Sequence, residues 1–189
     1  MSKTLPILLH PHTVLRAKAA PLSDVSDATR TTLANMLETL HTAQGIGLAA
    51  PQIGLSQRIV VIEHEVEGEP GHRTPKSGSK PLLMVNPTLL ATSTDMIESE
   101  EGCLSIPWLY DVIHRHAEVK VGYLDEHGNP QTVEADGLLS RCLQHELDHL
   151  DGVLFIDHLS RLKRGLADKK YKKLLVDFVD DKPYPFVQE

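Results

Sequence analysis

The chain has 189 residues, enough for one domain with its own hydrophobic core, or a domain with a trailing helix. Hydrophobic residues make up 41% and charged residues 24%. The formal net charge of -7 argues against nucleic acid as the main partner, because phosphate binding needs a basic surface.

Residues 1–23 carry Pro6, Pro11 and Pro21 and read as extended or irregular. Their short apolar stretch has no cleavage site, and no segment of the chain reaches about eighteen apolar residues. The expectation is a cytoplasmic protein with no membrane span. Two cysteines, Cys103 and Cys142, are too few for a disulfide framework; one bridge stays open, with a reduced compartment as the better expectation. From Ser26 to Ala43 the pattern turns helical: Leu33, Met36, Leu37 and Leu40 share one face. Gly45 stops that helix, and residues 45–54, with three glycines and Pro51, cannot continue it. Residues 58–62 are a strand by β-branched content, and residues 82–86 are a second. Between them, residues 63–80 form a charged, Gly/Pro/Ser-rich surface loop.

Val119, Val121 and Tyr123 alternate, Gly128-Asn129-Pro130 turns, and Gln131 to Ala135 pairs back as a hairpin. A second helix spans about Gly137 to Leu150, with Asp136 as N-cap and Gly152 just past its end. Val153 to Ile156 is expected as a short strand. A third helix starts after Ser160 and is suited by Leu162, Leu166, Leu174, Leu175 and Phe178; its tail ends at Pro183 and Pro185. Hairpins mix with helices instead of alternating strand and helix, so the class is α+β. The chain is expected to be one domain over 1–189, with residues 160–189 as C-terminal helix and tail.

The sharpest chemical signal is Gln144-His145-Glu146-Leu147-Asp148-His149. Two histidines at i and i+4 project from one helix face and can share one ion. Glu146 lies about 100° further round, where it reaches a water rather than joining as a ligand. Chance pairs of this kind occur on exposed helices. These two, however, continue an apolar stripe with Leu138 and Cys142, and Glu146 shares the adjacent stripe with Leu139, Leu143 and Leu150. A carboxylate turned inward between two histidines is costly without a function.

A catalytic metal needs a third protein ligand. A histidine in the metzincin position is ruled out, because Phe155 stands there. A thermolysin-like glutamate finds only Asp151, Asp157, Asp168 and Asp177 downstream, with no glutamate before Glu189. Cys142 and His149 are seven residues apart, about 10.5 Å along the axis, beyond a cysteine's reach. Cys103 is the remaining soft donor, and the preceding Gly102 permits a sharp backbone path near an ion. As a lone cysteine it could equally be a small buried hydrophobe; the incomplete helix motif raises it above that.

Gly45-x-Gly47-x-x-Ala50 matches a loose dinucleotide fingerprint, but it follows a helix and precedes Pro51, the wrong context. The segment is either a tight loop or a backbone that approaches a peptide closely, with Gln52 as an amide donor.

Three segments together resemble the peptide deformylase family. Gly45-Ile46-Gly47-Leu48-Ala49-Ala50-Pro51-Gln52 resembles its first motif, Glu101-Gly102-Cys103-Leu104-Ser105 its second, and Gln144 to His149 its third. The resemblance runs from His10-Pro11 to about Leu159. It implies mixed and antiparallel sheets with hairpins around a central metal-binding helix. It implies a hydrolase that removes formate from the N-terminal formyl-methionine of new polypeptides, at the ribosome exit. By the same resemblance Cys103, His145 and His149 hold one divalent ion, usually Fe2+, with Zn2+, Ni2+ or Co2+ as substitutes. Glu146 is then the general base, Gln52 and the Leu104 N–H bind the formyl oxygen, and Gly45, Ile46, Gly47, Leu138 and Cys142 bind substrate. Trp108-Leu109-Tyr110 falls where members vary; Tyr110 stands where some place an arginine that contacts the peptide. The competing readings are a metallopeptidase that cuts internal bonds, a non-catalytic binding module with the same fold, and a structural protein with chance motifs.

Overall fold

The computed structural model describes residues 2–68 and 73–179. After an irregular N-terminal segment with a 3-10 turn at Thr13–Arg16 comes α1 (Asp27–Thr42). Ser26 caps it, its hydroxyl accepting from Thr29 N while the Thr29 hydroxyl accepts from Ser26 N. Leu33, Met36 and Leu40 are buried as the periodicity predicts, and Leu37 is half-buried at the edge.

The next strands are β1 (Gly47–Ala49), β2 (Ile59–Ile62), the short pair β3 (Val66–Glu67) and β4 (Thr74–Pro75), and β5 (Leu82–Thr92). They are followed by β6 (Met96–Cys103), β7 (Ile106–His116), β8 (Val119–Leu124) and β9 (Pro130–Ala135). The main antiparallel sheet has the order β1-β2-β5-β8-β9, while β3-β4 and β6-β7 form separate ladders. The class is α+β with antiparallel sheets, as expected.

All four residues of β2 are buried because the sheet is covered on both faces. Ile59 and Val61 join the cluster under α1; Val60 and Ile62 join the cluster under α2 (Gly137–Leu150). The two-residue period of a strand thus feeds two cores at once. Each large aliphatic side chain buried this way contributes on the order of 1.5–3 kcal/mol.

Several expectations change. The 63–80 loop contains the β3–β4 ladder. Strand β5 runs six residues past the expected end, with irregular pairing to β8 between Val85 and Thr88, where Asn86 takes φ 52 and Pro87 breaks the register. The long β6–β7 hairpin was not foreseen, because Met96–Cys103 holds three glutamates among its eight residues and little apolar alternation. Val153 to Ile156 is no strand: Phe155–His158 is a 3-10 turn. There the Asp157 carboxylate accepts from Leu154 N at 2.8 Å, so turn chemistry overrides apolar content.

Asp136 does precede α2, but its side chain makes no capping hydrogen bond. In α3 (Arg161–Val179) the packed face is Ala167, Tyr171 and the part-buried Leu175. Leu162 and Leu166, which suit the helix by spacing, lie in it as expected but are exposed, at 76% and 59%. The side chain of Phe178 and the prolines at 183 and 185 lie outside the described residues. Among the described residues, no helix is long and apolar enough to cross a membrane.

Candidate metal centre and active site

Helix α2 lies against β1, β2 and β7; its Cys142 and Glu146 face Gly47 of β1, and its His149 faces Cys103 at the end of β6. The six-residue motif divides its work. Gln144 anchors the helix: its Nε2 donates to His116 O at 2.9 Å and its Oε1 accepts from His116 N at 3.1 Å. Asp148 binds the next layer, accepting from Arg115 Nη1 at 2.6 Å and pairing with His158 Nε2 at 2.7 Å. His145, Glu146 and His149 are left to face the centre.

Cys103 arrives from β6. It pairs with Ile106 across a two-residue turn, while Gly102 pairs with Tyr110, so residues 107–109 bulge out of β7. Trp108 in that bulge has φ 64, the left-handed region that a bulky aromatic rarely adopts. Gly102 lets the Tyr110 ring lie over the backbone: a Cβ there would stand 2.5 Å from the ring and force it aside.

The donor atoms of Cys103, His145 and His149 all lie within 4.8 Å of one another, and Cys103 Sγ is 3.2 Å from His149 Nε2. Three ligands of a tetrahedral ion at about 2.0–2.3 Å are separated by about 3.3–3.8 Å, so the cluster fits. One thiolate and two imidazoles suit a divalent transition metal better than a hard cation. Both cysteines are free thiols, which removes the possible bridge.

His145 Nδ1 contacts Glu101 Oε2 at 3.0 Å, and Arg115 grips both oxygens of Glu101. Burial alone would raise the Glu101 carboxyl, but hydrogen bonds from His145 and Arg115 hold it at about 2. Burial would likewise lower His145; the Cys103 thiol and Glu101 outweigh it and hold the ring well above its usual value. Burial pushes His149 well below, with His145 and Arg115 adding to the shift. The surroundings of His145 therefore favour positive charge, as a cation site should.

Glu146 is 3% exposed, and its Oε2 has no hydrogen-bond partner among the described residues. Burial pushes its carboxyl up to about 7, with His145 opposing and Glu101 reinforcing the shift. Gly47 makes room for it: a Cβ there would stand 2.4 Å from Glu146 Oε1 and 2.7 Å from Cys142 Sγ. The Gln52 amide is oriented from both ends. Its Oε1 accepts from Ala49 N at 2.8 Å, and its Nε2 donates to Ser105 Oγ at 3.2 Å, 3.7 Å from Cys103 Sγ.

A cavity of about 520 Å³ opens onto this centre. Gly45, Ile46, Gly47, Leu138 and Cys142 all line it, beside Gln52, Cys103, Leu104, His145 and Glu146. His149 lies behind, 1% exposed. Burial raises the Cys142 thiol well above its usual value, reinforced by Glu146, so it is an inert wall rather than a nucleophile. Every residue singled out in the sequence is thus in or against one site. Arg115 and His158 were missed, and Ser105, quoted within the second motif, was given no role of its own. Arg115 lies 12 positions after Cys103 in an otherwise ordinary strand, and no local pattern marks it.

A family model described as polypeptide deformylase matches residues 4–165. The peptide deformylase of Brucella suis biovar 1 is 47% identical over 169 residues, covering 89% of this chain and 92% of that one. A peptide deformylase crystal structure from Ehrlichia chaffeensis superimposes with a TM-score of 0.82 at 36% identity, covering 93% of this chain and 98% of that one. One from Synechococcus elongatus, in complex with actinonin, has a TM-score of 0.80 at 43% identity, covering 88% and 87%. A match of this extent, with all three motifs converging on one metal-binding cluster, makes the chain a member of the polypeptide deformylase family.

Proposed function

We propose that this chain hydrolyses the formyl group from the N-terminal formyl-methionine of newly made polypeptides and releases formate, acting as one catalytic domain. The observation that carries the reading is the buried Glu146 carboxylate, with one oxygen unpartnered, beside the three metal donors at the cavity. A peptidase without a formyl requirement, or an inert binding module, has no support in the family match.

Cys103, His145 and His149 hold the metal, and Fe2+ is the proposed ion. Such an ion supplies a Lewis acid that polarises the formyl carbonyl and makes a water more acidic. The methionine side chain enters between Ile46, Leu138 and Cys142. Gln52 Nε2 and the Leu104 N–H donate to the formyl oxygen as negative charge builds on it; removing one such donor costs about 10²–10³ in rate. Glu146 takes the proton from the attacking water, whose oxygen adds to the formyl carbon. The same carboxyl then passes the proton to the methionine nitrogen as the C–N bond breaks. Gly47, lacking a side chain, leaves Glu146 room to do both.

Nascent chains leaving the ribosome, in the cytoplasm, are the proposed substrates, and actinonin is expected to occupy the same cavity. The test is anaerobic purification with elemental analysis, then formate release from formyl-Met-Ala-Ser beside its unformylated counterpart. About one divalent metal per chain and formate from the formylated peptide alone are expected. Cleavage of internal bonds, or a metal-loaded protein that releases no formate, overturns the reading.

A further inference from the structure

The cavity carries charge that the deformylation step does not use. Arg141 sits on α2 between the pocket residues Leu138 and Cys142, and Arg73 immediately precedes β4; both line the cavity. Arg16, Arg30, Arg58, Arg115 and Arg164 are each ion-paired with an aspartate or glutamate. Arg73, Arg141 and Arg161 have no carboxylate pair among the described residues; Arg161 is exposed at the start of α3, and only Arg73 and Arg141 line the cavity. Both are half-buried, so part of their hydration is already displaced. Their field acts on Cys142 in the pocket wall, against that of Glu146 and Glu101.

None of the carboxylates that line the cavity is ion-paired with them. Glu101 is neutralised by Arg115 and His145. Glu146 is buried toward the metal centre. Glu100 is exposed and belongs to β6, a different wall from the helix that carries Arg141. In a chain of net charge -7, two unpaired guanidiniums in the substrate cavity are a local exception. A guanidinium presents a planar fork of donors that matches a carboxylate.

We propose that Arg73 and Arg141 form a carboxylate-recognising subsite beside the methionine pocket, selecting formylated peptides with an acidic side chain just after the methionine. The proposal rests on the deformylase reading. Half-exposed pairs of this kind are worth roughly a two- to fivefold preference.

The test measures kcat/KM for C-terminally amidated formyl-Met tripeptides carrying Asp, Asn or Lys at the first or second position after methionine. Free-acid formyl-Met-Ala and its amide are run beside them. Asp is expected to exceed Asn by roughly two- to fivefold at one position, and Lys to fall below Asn. R73Q and R141Q should bring the Asp-to-Asn ratio toward one, and R141E should move the preference to Lys. Because each variant is read as a ratio within one preparation, a general loss of activity does not imitate the effect. Equal Asp and Asn values at both positions, or a ratio unchanged in both Gln variants, overturn the subsite. Preference for the free acid over the amide without preference for Asp shows a terminal carboxylate as ligand, and overturns the proposed side-chain selectivity. If no formylated peptide, neutral ones included, releases formate, the deformylase reading itself fails.

Discussion

Arg115 and Glu101 form a buried two-pronged ion pair, with Nε to Oε1 at 2.8 Å and Nη2 to Oε2 at 3.0 Å. The pair ties β7 to β6, and through Glu101 Oε2 it sets the ring of His145. A carboxylate behind a ligating histidine orients the ring and strengthens it as a donor. R115Q leaves Glu101 buried with half its partners, and breaking a buried pair costs about 3–5 kcal/mol. Urea unfolding should show that loss, and metal competition should show affinity weakened by about 10–100-fold. Unchanged metal affinity in the folded variant would limit Arg115 to a structural role.

The same pair sets a response to acid. Glu101 is held at about 2 in the folded chain, against 4.5 for an ordinary glutamate. A depressed carboxyl contributes stability that is complete above its unfolded value and disappears as pH falls through the folded one. Stability measured by urea midpoint should therefore fall between about pH 4.5 and 2, and E101Q should flatten that part of the profile. An identical acid slope in wild type and E101Q would show that Glu101 is not the responsible group.

The two thiols should behave oppositely. C103A removes a metal donor, and elemental analysis should find the ion largely gone. C142A leaves the donor cluster intact and should keep it. Equal metal content in the two variants would disprove the ligand assignment.

E146Q retains the shape of the buried side chain but cannot accept a proton. Metal content should stay near that of wild type while kcat falls by about 10²–10⁴. A metal-loaded Gln variant of normal turnover would remove the general-base role.

Gly47 tests the geometry around that carboxylate. A methyl group at this position would stand 2.4 Å from Glu146 Oε1, so G47A must displace it or Cys142. We expect kcat to drop by about tenfold or more, as a misplacement of roughly 1 Å can cost 10²-fold, with metal content preserved. Wild-type kcat in G47A would show that the carboxylate has room to spare.

How much of this was legible in the sequence depends on distance along the chain. The i, i+4 spacing of His145 and His149 is a property of one helix, so the pair and the inward turn of Glu146 follow from local geometry. The same holds for α1, for the β8–β9 hairpin and for the break at Gly45. Leu162 and Leu166 show the limit: helical spacing groups them, but the helix packs through Ala167 and Tyr171. Val153 to Ile156 shows another, because a short apolar run does not reveal which backbone an aspartate three residues on will cap.

The sequence by itself determined the donor types, the helix that presents two of them, and through its three motifs the family. Only the tertiary structure decided that Arg115 supports Glu101, that Gly47 clears the space for Glu146, and that Arg73 and Arg141 face one cavity. The physical reason is that secondary structure obeys short periods along the chain. Contacts between residues tens of positions apart are set by how whole layers pack, and no local pattern encodes them.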